Sequence, residues 1–456
     1  MMAEAGKNYS GFLSERTAEL RENIVIDRYF YEQNEVKRGL RNADGTGVMA
    51  GVTKIGSIQG YYMRDGERIA MPGKLYYRGI DVADIVNGFL QEGRTGFEET
   101  AYLLFFGKLP DKASLDTFCG LLEEYKSLPD GFTENMILAA PSINIMNKLA
   151  RSVLALYSYD EEPETNGRDL ENELQRALYL LARGPVIVAN AFSAKRHYYD
   201  KEGLYLDWPQ PGLSVAENFL HMVRRDNSFT PEEARILDLC LVLHAEHGGG
   251  NNSAFACRVL TSSGTDIYSA ISAAVGSLKG PRHGGANERV MNMFSYIERD
   301  VKDWKDEDEV SDYLAKIVRG EAAAGDGLIY GMGHAVYTVS DPRAVMLKDL
   351  ARSLAKEKGM IEELELIELV EKLGPVVFNR ESKIKKALCA NVDMYSGFVY
   401  KMLNIPQELY TPLFAMSRMA GWCAHRLEEV FNGDKIIRPA YKAVGLDEVY
   451  IPLSRR

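Results

Sequence analysis

A chain of 456 residues is long enough for two domains and a large core. Its 46% hydrophobic and 26% charged residues are ordinary for a soluble globular protein. With 54 basic and 65 acidic residues the net charge is −11, which argues against nucleic-acid binding and means that an anionic substrate needs local arginines.

In chain order, the N-terminal stretch has no apolar segment of signal-peptide type, so none is predicted. No run of about 18 apolar residues follows, and no transmembrane helix is expected. The first regular structure predicted is β, over residues 56–81, where Gly and Asp-Gly turn signals separate short aromatic and β-branched runs. Almost everything after it reads as helix, so the fold class is mainly α. The acidic run Asp303 to Tyr313 reads as a solvated helix start. No Gly/Ser/Pro-rich linker divides the chain, so two domains would require it to cross between them more than once. Cys119, Cys240, Cys257, Cys389 and Cys423 are scattered and form no CxxC pair. They read as the reduced thiols of a cytoplasmic protein, not as a disulfide frame or zinc site.

Three of the seven histidines stand at unusual junctions. Thr230 and Glu233 make a capping box with Pro231 at the first helical position. Ile236, Leu237, Cys240, Leu243 and His244 form the buried stripe of the helix that follows, and three glycines end it. His244 is then either a core histidine with its ring satisfied or a site residue. A metal reading of His244 with His247 is weak, because no third ligand follows at suitable spacing. Further on, Ile267, Ile271, Ala274, Val275 and Leu278 make one stripe, and Gly280-Pro281 stops it. A second stripe of Val290, Met291, Phe294 and Ile297 begins after Asn287. His283 lies between them, near a helix N-terminus whose dipole disfavours imidazolium. A neutral imidazole there can donate to a developing oxyanion. The third junction is glycine-rich, Gly325 to Gly333, and leads into His334. It matches neither phosphate-loop pattern. Asp341-Pro342 then opens a helix with Arg343 in its first turn. A cation there opposes the helix dipole, and an anion bound between Arg343 and the helix end would remove the conflict.

Two later residues complete the set. Asp393 follows a basic segment, precedes a helical run and reads most simply as an N-cap. Arg418 sits inside a largely apolar helix begun by Thr411-Pro412, where a buried guanidinium needs a partner. That partner is either a structural carboxylate or a substrate carboxylate held bidentately.

Together these segments resemble citrate synthases. The motifs are LHAEHGGGNNSAF, LKGPRHGGANE, GMGHAVYTVSDPRA, NVDMYSG, FAMSRMAG and IIRP, in that order, with further likeness in GKLYYRGIDVADIV and GFEETAYLLFFGKLP. The likeness spans nearly the whole chain. It implies a two-domain helical fold, with residues 1–284 and 406–456 in a large domain and 285–405 in a small one. It places the catalytic triad on His283, His334 and Asp393. It places the oxaloacetate and citrate ligands on His244, His334, Arg343, Arg418 and Arg438. Coenzyme A contacts fall on Leu328, Ile329, Tyr330, Gly331 and Gly333, with Lys383, Lys385 and Lys386 as phosphate candidates. Arg282 stands where the family favours a small or apolar residue.

The implied reaction is condensation of acetyl-CoA with oxaloacetate, then hydrolysis of citryl-CoA. His283 donates to the thioester oxygen, Asp393 takes the methyl proton and His334 polarises the ketone. The resemblance implies no metal and no tightly bound cofactor, only coenzyme A as part of substrate and product. It implies a cytoplasmic homodimer with Arg438 contributed across the interface, and no nucleic-acid or membrane partner. The rival readings are a 2-methylcitrate synthase using propionyl-CoA, a non-catalytic coenzyme-A-binding regulator, and a metal-dependent hydrolase.

Overall fold

The computed structural model of the chain describes residues 13–14, 16–42, 44–65, 67–164, 169–445 and 449–455. The chain divides into two compact units. One is made by the described residues up to Ala50 and from Arg438 onward. It holds a short helix, α1 (Arg28–Gln33), whose N-cap Asp27 accepts from the Tyr29 N–H, and a bridge between Arg41 and Gly47. The other, Gly51–Ile437, contains the core.

The core unit is helical except at its start. Strands β1 (Gly56–Arg64), β2 (Glu67–Tyr77) and β3 (Ile80–Asp81) form an antiparallel meander where β structure is predicted. Register slips between Gln59 and Tyr61. The sheet carries the segment after His334. Gly73 N–H donates to the Ser340 carbonyl at 3.0 Å, and Tyr337 Oη donates to the Lys74 carbonyl at 3.2 Å. A Cβ at Gly73 would lie 2.3 Å from that Ser340 oxygen, so glycine is what lets the two backbones meet.

The helices follow as α2 (Val82–Gln91), α3 (Phe97–Phe106), α4 (Lys112–Tyr125), α5 (Ile145–Ala155), α6 (Leu170–Tyr198), α7 (Val215–Val223), α8 (Pro231–His244), α9 (Asn252–Ser262) and α10 (Ile267–Leu278). After these come α11 (Ala286–Asp300), α12 (Glu307–Val318), α13 (Pro342–Glu357), α14 (Ile361–Glu381), α15 (Asp393–Met402) and α16 (Tyr410–Asn432). The predicted starts at Thr230 and Asp341 hold, whereas α16 begins at Tyr410 with Leu409 at its cap and not at Thr411-Pro412. The capping box of Thr230 and Glu233 forms, with Pro231 at the first position. The acidic run opens α12 behind the N-cap Asp306. Helix α6 is long and apolar enough to cross a membrane by length and composition, although the sequence pattern predicts no such span. It is instead mostly buried, packed on α5, α7 and α16.

Helix α16 is the spine, and it packs on α6, α8, α9 and α10. Its contact with the end of α8 is made by polar atoms. The last carbonyls of a helix have no partner within it. Here Ser417 Oγ donates to the Leu241 carbonyl, Arg418 Nε to that of His244, and Gly421 N–H to that of Ala245. Tyr77 Oη, from β2, serves Val242 at 2.9 Å and Glu246 at 3.2 Å. A Cβ at Gly421 would lie 2.4 Å from the Ala245 oxygen. Gly421→Ala is therefore expected to lower stability by about 1–3 kcal/mol, the usual range for overpacking a filled interior. The check is a denaturant titration, where the midpoint falls at unchanged slope. An unchanged midpoint would mean that the spacing of α8 and α16 is not set by this glycine.

Candidate active site

Helices α8, α13, α15 and α16 and the turns before α11 and α13 bring seven of the singled-out side chains into one region. His244 ends α8 and is fully buried, as its stripe predicts. Its ring stacks on Phe414 of α16 with centroids 4.2 Å apart. Neither ring nitrogen has a hydrogen-bond partner, which sets aside the reading of a satisfied core histidine. Burial pushes its pKa well below the ordinary range, and the charges of Arg343 and Arg418 push the same way.

Arg418 is also fully buried. Nε is used on the His244 carbonyl, while Nη1 and Nη2 have no partner at all. Its guanidinium carbon lies 4.7 Å from the Phe414 ring centroid. Burial lowers its pKa to about 10, with Glu246 and Tyr77 working against that. The arginine stays charged at neutral pH with two unspent donors. The structural-carboxylate reading of Arg418 therefore fails.

Arg343 behaves differently. Its Nε donates to Asp341 Oδ1 at 3.0 Å and its Nη2 to Oδ2 at 2.6 Å. Asp341 also caps α13 through the Arg343 N–H. The expectation that a bound anion relieves this cation is corrected: a resident carboxylate two residues earlier does so. Burial alone would lower the Arg343 pKa, but Asp341 outweighs it and holds it above the ordinary value. Nη1 is the side of the guanidinium that Asp341 leaves over.

His283 lies in the turn between α10 and α11, as predicted. Its Nε2 is 3.0 Å from Ser253 Oγ, which also accepts from the Trp422 indole N–H at 3.0 Å. The Ser253 hydroxyl has one proton and two takers, His283 Nε2 and Asn251 Oδ1, the latter at 2.9 Å. When the proton goes to His283, the neutral ring keeps its own on Nδ1 and can donate from there. Burial, then Arg418, lowers the His283 pKa to about 4.

His334 Nδ1 accepts from the backbone N–H groups of Val336 and Tyr337, both at 3.1 Å. A neutral His334 therefore carries its proton on Nε2. His247 stands edge-on to it, with centroids 5.1 Å apart. Asp393 is the first residue of α15, and Val392 holds the cap position, so the N-cap reading of Asp393 is set aside. Its Oδ1 is buried without a partner. Burial raises its pKa to about 7, against the pull of Arg343 and Arg418. Among the described residues no three His, Cys, Asp or Glu side chains form a group able to hold a metal.

The glycine segment wraps back on α15. Gly331 and Gly333 take positive φ of 81° and 95°, the region that glycine enters readily. Gly333 N–H donates to the Cys389 carbonyl at 2.7 Å, and Asn391 N–H to that of Gly331 at 2.9 Å. Ile329 is buried and Leu328 is exposed, and Tyr330 Oη bonds with Asp326 and Arg289. Lys383, Lys385 and Lys386 are exposed, as is Arg282. Lys385 Nζ is tied to the Asn379 carbonyl, and Lys386 Nζ lies 5.2 Å from the Phe378 ring centroid. Arg438 is exposed and belongs to the other unit. Ser253, Phe414 and Glu246 carry no local sequence signal for the site, and Asp341 carries one only as the residue that opens α13.

A family model described as "Citrate synthase, C-terminal domain" matches residues 42–440. The citrate synthase of Synechocystis sp. is 35% identical over 431 residues, 94% of this chain and 96% of that protein. The 2-methylcitrate synthase 1 of Corynebacterium glutamicum is 32% identical, over 93% of this chain and 99% of that one. The citrate synthase of Thermoplasma acidophilum, solved in complex with carboxymethyl coenzyme A and oxaloacetate, superposes with a TM-score of 0.74. It is 27% identical and covers 92% of this chain and 99% of that chain. On the extent of these matches, this chain belongs to the citrate synthase family of acyltransferases.

Proposed function

We propose that this enzyme condenses acetyl-CoA with oxaloacetate and hydrolyses the resulting citryl-CoA to citrate and coenzyme A. The observation that carries the reading is Arg418, fully buried with Nη1 and Nη2 unpartnered beside the unpartnered ring of His244. Leaving such donors unsatisfied is costly unless a ligand takes them. A carboxylate of oxaloacetate fits them bidentately. Arg343 Nη1 and His244 hold the rest of the dianion, and the Nε2–H of His334 polarises its ketone. Asp393 removes a proton from the acetyl methyl group. The Nδ1–H of His283 donates to the thioester oxygen as the enol forms. The enol carbon then bonds to the ketone carbon, and water cleaves the thioester. Coenzyme A runs along residues 328–333, with Lys383 and Lys386 toward its phosphates.

In this reading residues 285–405 form a small domain that closes on a large one, excluding water from the charged site. The enzyme works as a homodimer in the cytoplasm. The free thiols of all five cysteines fit a reducing compartment. A 2-methylcitrate synthase is the second reading, since one methylene in an apolar pocket is worth only about 1–3 kcal/mol. Thiol release with oxaloacetate and either thioester tests the choice. The expected ratio of kcat/KM favours acetyl-CoA over propionyl-CoA, and a ratio reversed in favour of propionyl-CoA would overturn the assignment.

Asp393→Asn keeps the shape and removes the basicity. Turnover is expected to fall on the order of 100–10,000-fold with oxaloacetate binding retained. In the native enzyme the rate should drop as pH falls through about 7, because the base is then protonated. Near-normal turnover of the variant, or an acid limb that persists in it, counts against Asp393 as the base.

Arg438 is assigned by family likeness to the partner's site. Mixing subunits of Asp393→Asn with subunits of Arg438→Ala tests this. Half of randomly formed dimers are hybrid and half of their sites are whole, so activity should recover to roughly a quarter of native. If Arg438 serves its own chain, every site carries a lesion and nothing recovers.

A further inference from the structure

The reaction above makes no use of Glu246, which lies between His244 and His247 and is fully buried. Its Oε1 accepts from the Gly248 N–H and faces His425 Nε2 at 2.9 Å. Its Oε2 has no partner and lies against the backbone of Gly421, where a Cβ would come within 2.5 Å of it. Gly421 follows Arg418 by three residues, so both present the same face of α16.

The tautomer of His425 is settled by its other neighbour. Arg258 donates to His425 Nδ1 from Nε at 3.1 Å and from Nη2 at 2.7 Å. A guanidinium has no acceptor, so Nδ1 is unprotonated and the ring proton is on Nε2, aimed at Glu246. Arg258 in turn pairs with Glu428 and Glu429. The negative charge of Glu246 is therefore not neutralised by Arg258, which is spent on two other carboxylates behind a neutral ring. Glu246 and Arg418 do not form an ion pair: Oε2 of one and both Nη atoms of the other stay unpartnered. Two opposite, incompletely satisfied charges thus stand at one site, each pinned by a different part of the fold. Glu246 is held by Gly248 and His425, and Arg418 by the His244 carbonyl.

We propose that Glu246 is a positioning residue and the resident counter-charge of Arg418, held just out of pairing distance so that substrate carboxylate takes the guanidinium while working against a fixed negative charge behind it. This rests on the functional reading above. The charge keeps Arg418 ionised in a dry site and weakens the hold on polyanions, so that product leaves.

Glu246→Gln tests the charge alone, because the amide oxygen can still accept from Gly248 and His425. Binding is followed by calorimetry without turnover. At an effective dielectric constant near 20, removing a charge several ångströms from a dianion should tighten oxaloacetate binding roughly 10-fold or more. The gain should be larger for the trianion citrate. Glu246→Asp keeps the charge and disturbs the hydrogen bonds, and its oxaloacetate affinity should stay within about 3-fold of native, because the charge still stands behind Arg418. The reverse pattern, with Gln native-like and Asp impaired, means the side chain is only a structural brace. A Glu246→Gln chain that does not fold also overturns the proposal, since the charge would then serve the fold. If the native protein binds no oxaloacetate, the functional reading itself fails. If the native protein binds it and Gln does not change the affinity, only the role of Glu246 fails.

Discussion

Everything in this site hangs on one guanidinium buried without a full set of partners. Arg418 donates through Nε to the last carbonyl of α8 and keeps Nη1 and Nη2 unspent. The single bond does two jobs. It answers an orphan carbonyl at a helix end, which would otherwise be a loss. It also fixes the plane of the guanidinium relative to His244, because residue 244 supplies the carbonyl and the ring at once. Ser417 and Gly421 repeat the contact on either side, so α8 cannot slide or rotate on α16 without breaking several bonds.

The two arginines of the site show how context alters one side chain. Arg343 has a carboxylate two residues away and is nearly complete by itself. Arg418 has only Glu246 at a distance. Burial therefore lowers the pKa of Arg418, whereas Asp341 raises that of Arg343 above its ordinary value. The unsatisfied one is the stronger hook for a ligand, and the satisfied one the better fixed.

Much of this was legible in the sequence, for local reasons. A capping box, a proline at the first helical position and a run of glycines located His244 at a helix end. Helical stripes interrupted at Gly280-Pro281 located His283 in a turn. What was not legible is pairing across the chain. The link from His425 to Glu246 spans 179 residues, and that from His283 to Ser253 spans 30. No periodicity reports such contacts. A helix dipole says nothing of the partner of Arg343, because Asp341 serves at once as the N-cap of α13 and as the carboxylate that pairs with it. The sequence position of Asp393 suits a cap, yet Val392 holds the cap and the carboxyl of Asp393 keeps Oδ1 without a partner.

The buried charges also divide the protonation work. His244, His247 and His283 are each pushed toward the neutral form, first by burial and then by the surrounding positive charge. The positive potential of the site therefore comes from arginine, which does not release a proton at working pH. The three rings are left as hydrogen-bonding groups: Ser253 sets the tautomer of His283 when its hydroxyl proton goes to Nε2, while both ring nitrogens of His244 and Nε2 of His247 stay without a partner. The one carboxyl here whose pKa burial brings to about 7 is Asp393. A base near neutrality is both populated as carboxylate and strong enough to take a proton from a weakly acidic carbon. Arg343 and Arg418 lower that pKa while burial raises it, so the two guanidiniums proposed to hold the substrate also tune the carboxyl proposed as the base. Substrate carboxylates that screen them would let burial dominate and make Asp393 more basic when the enzyme is loaded.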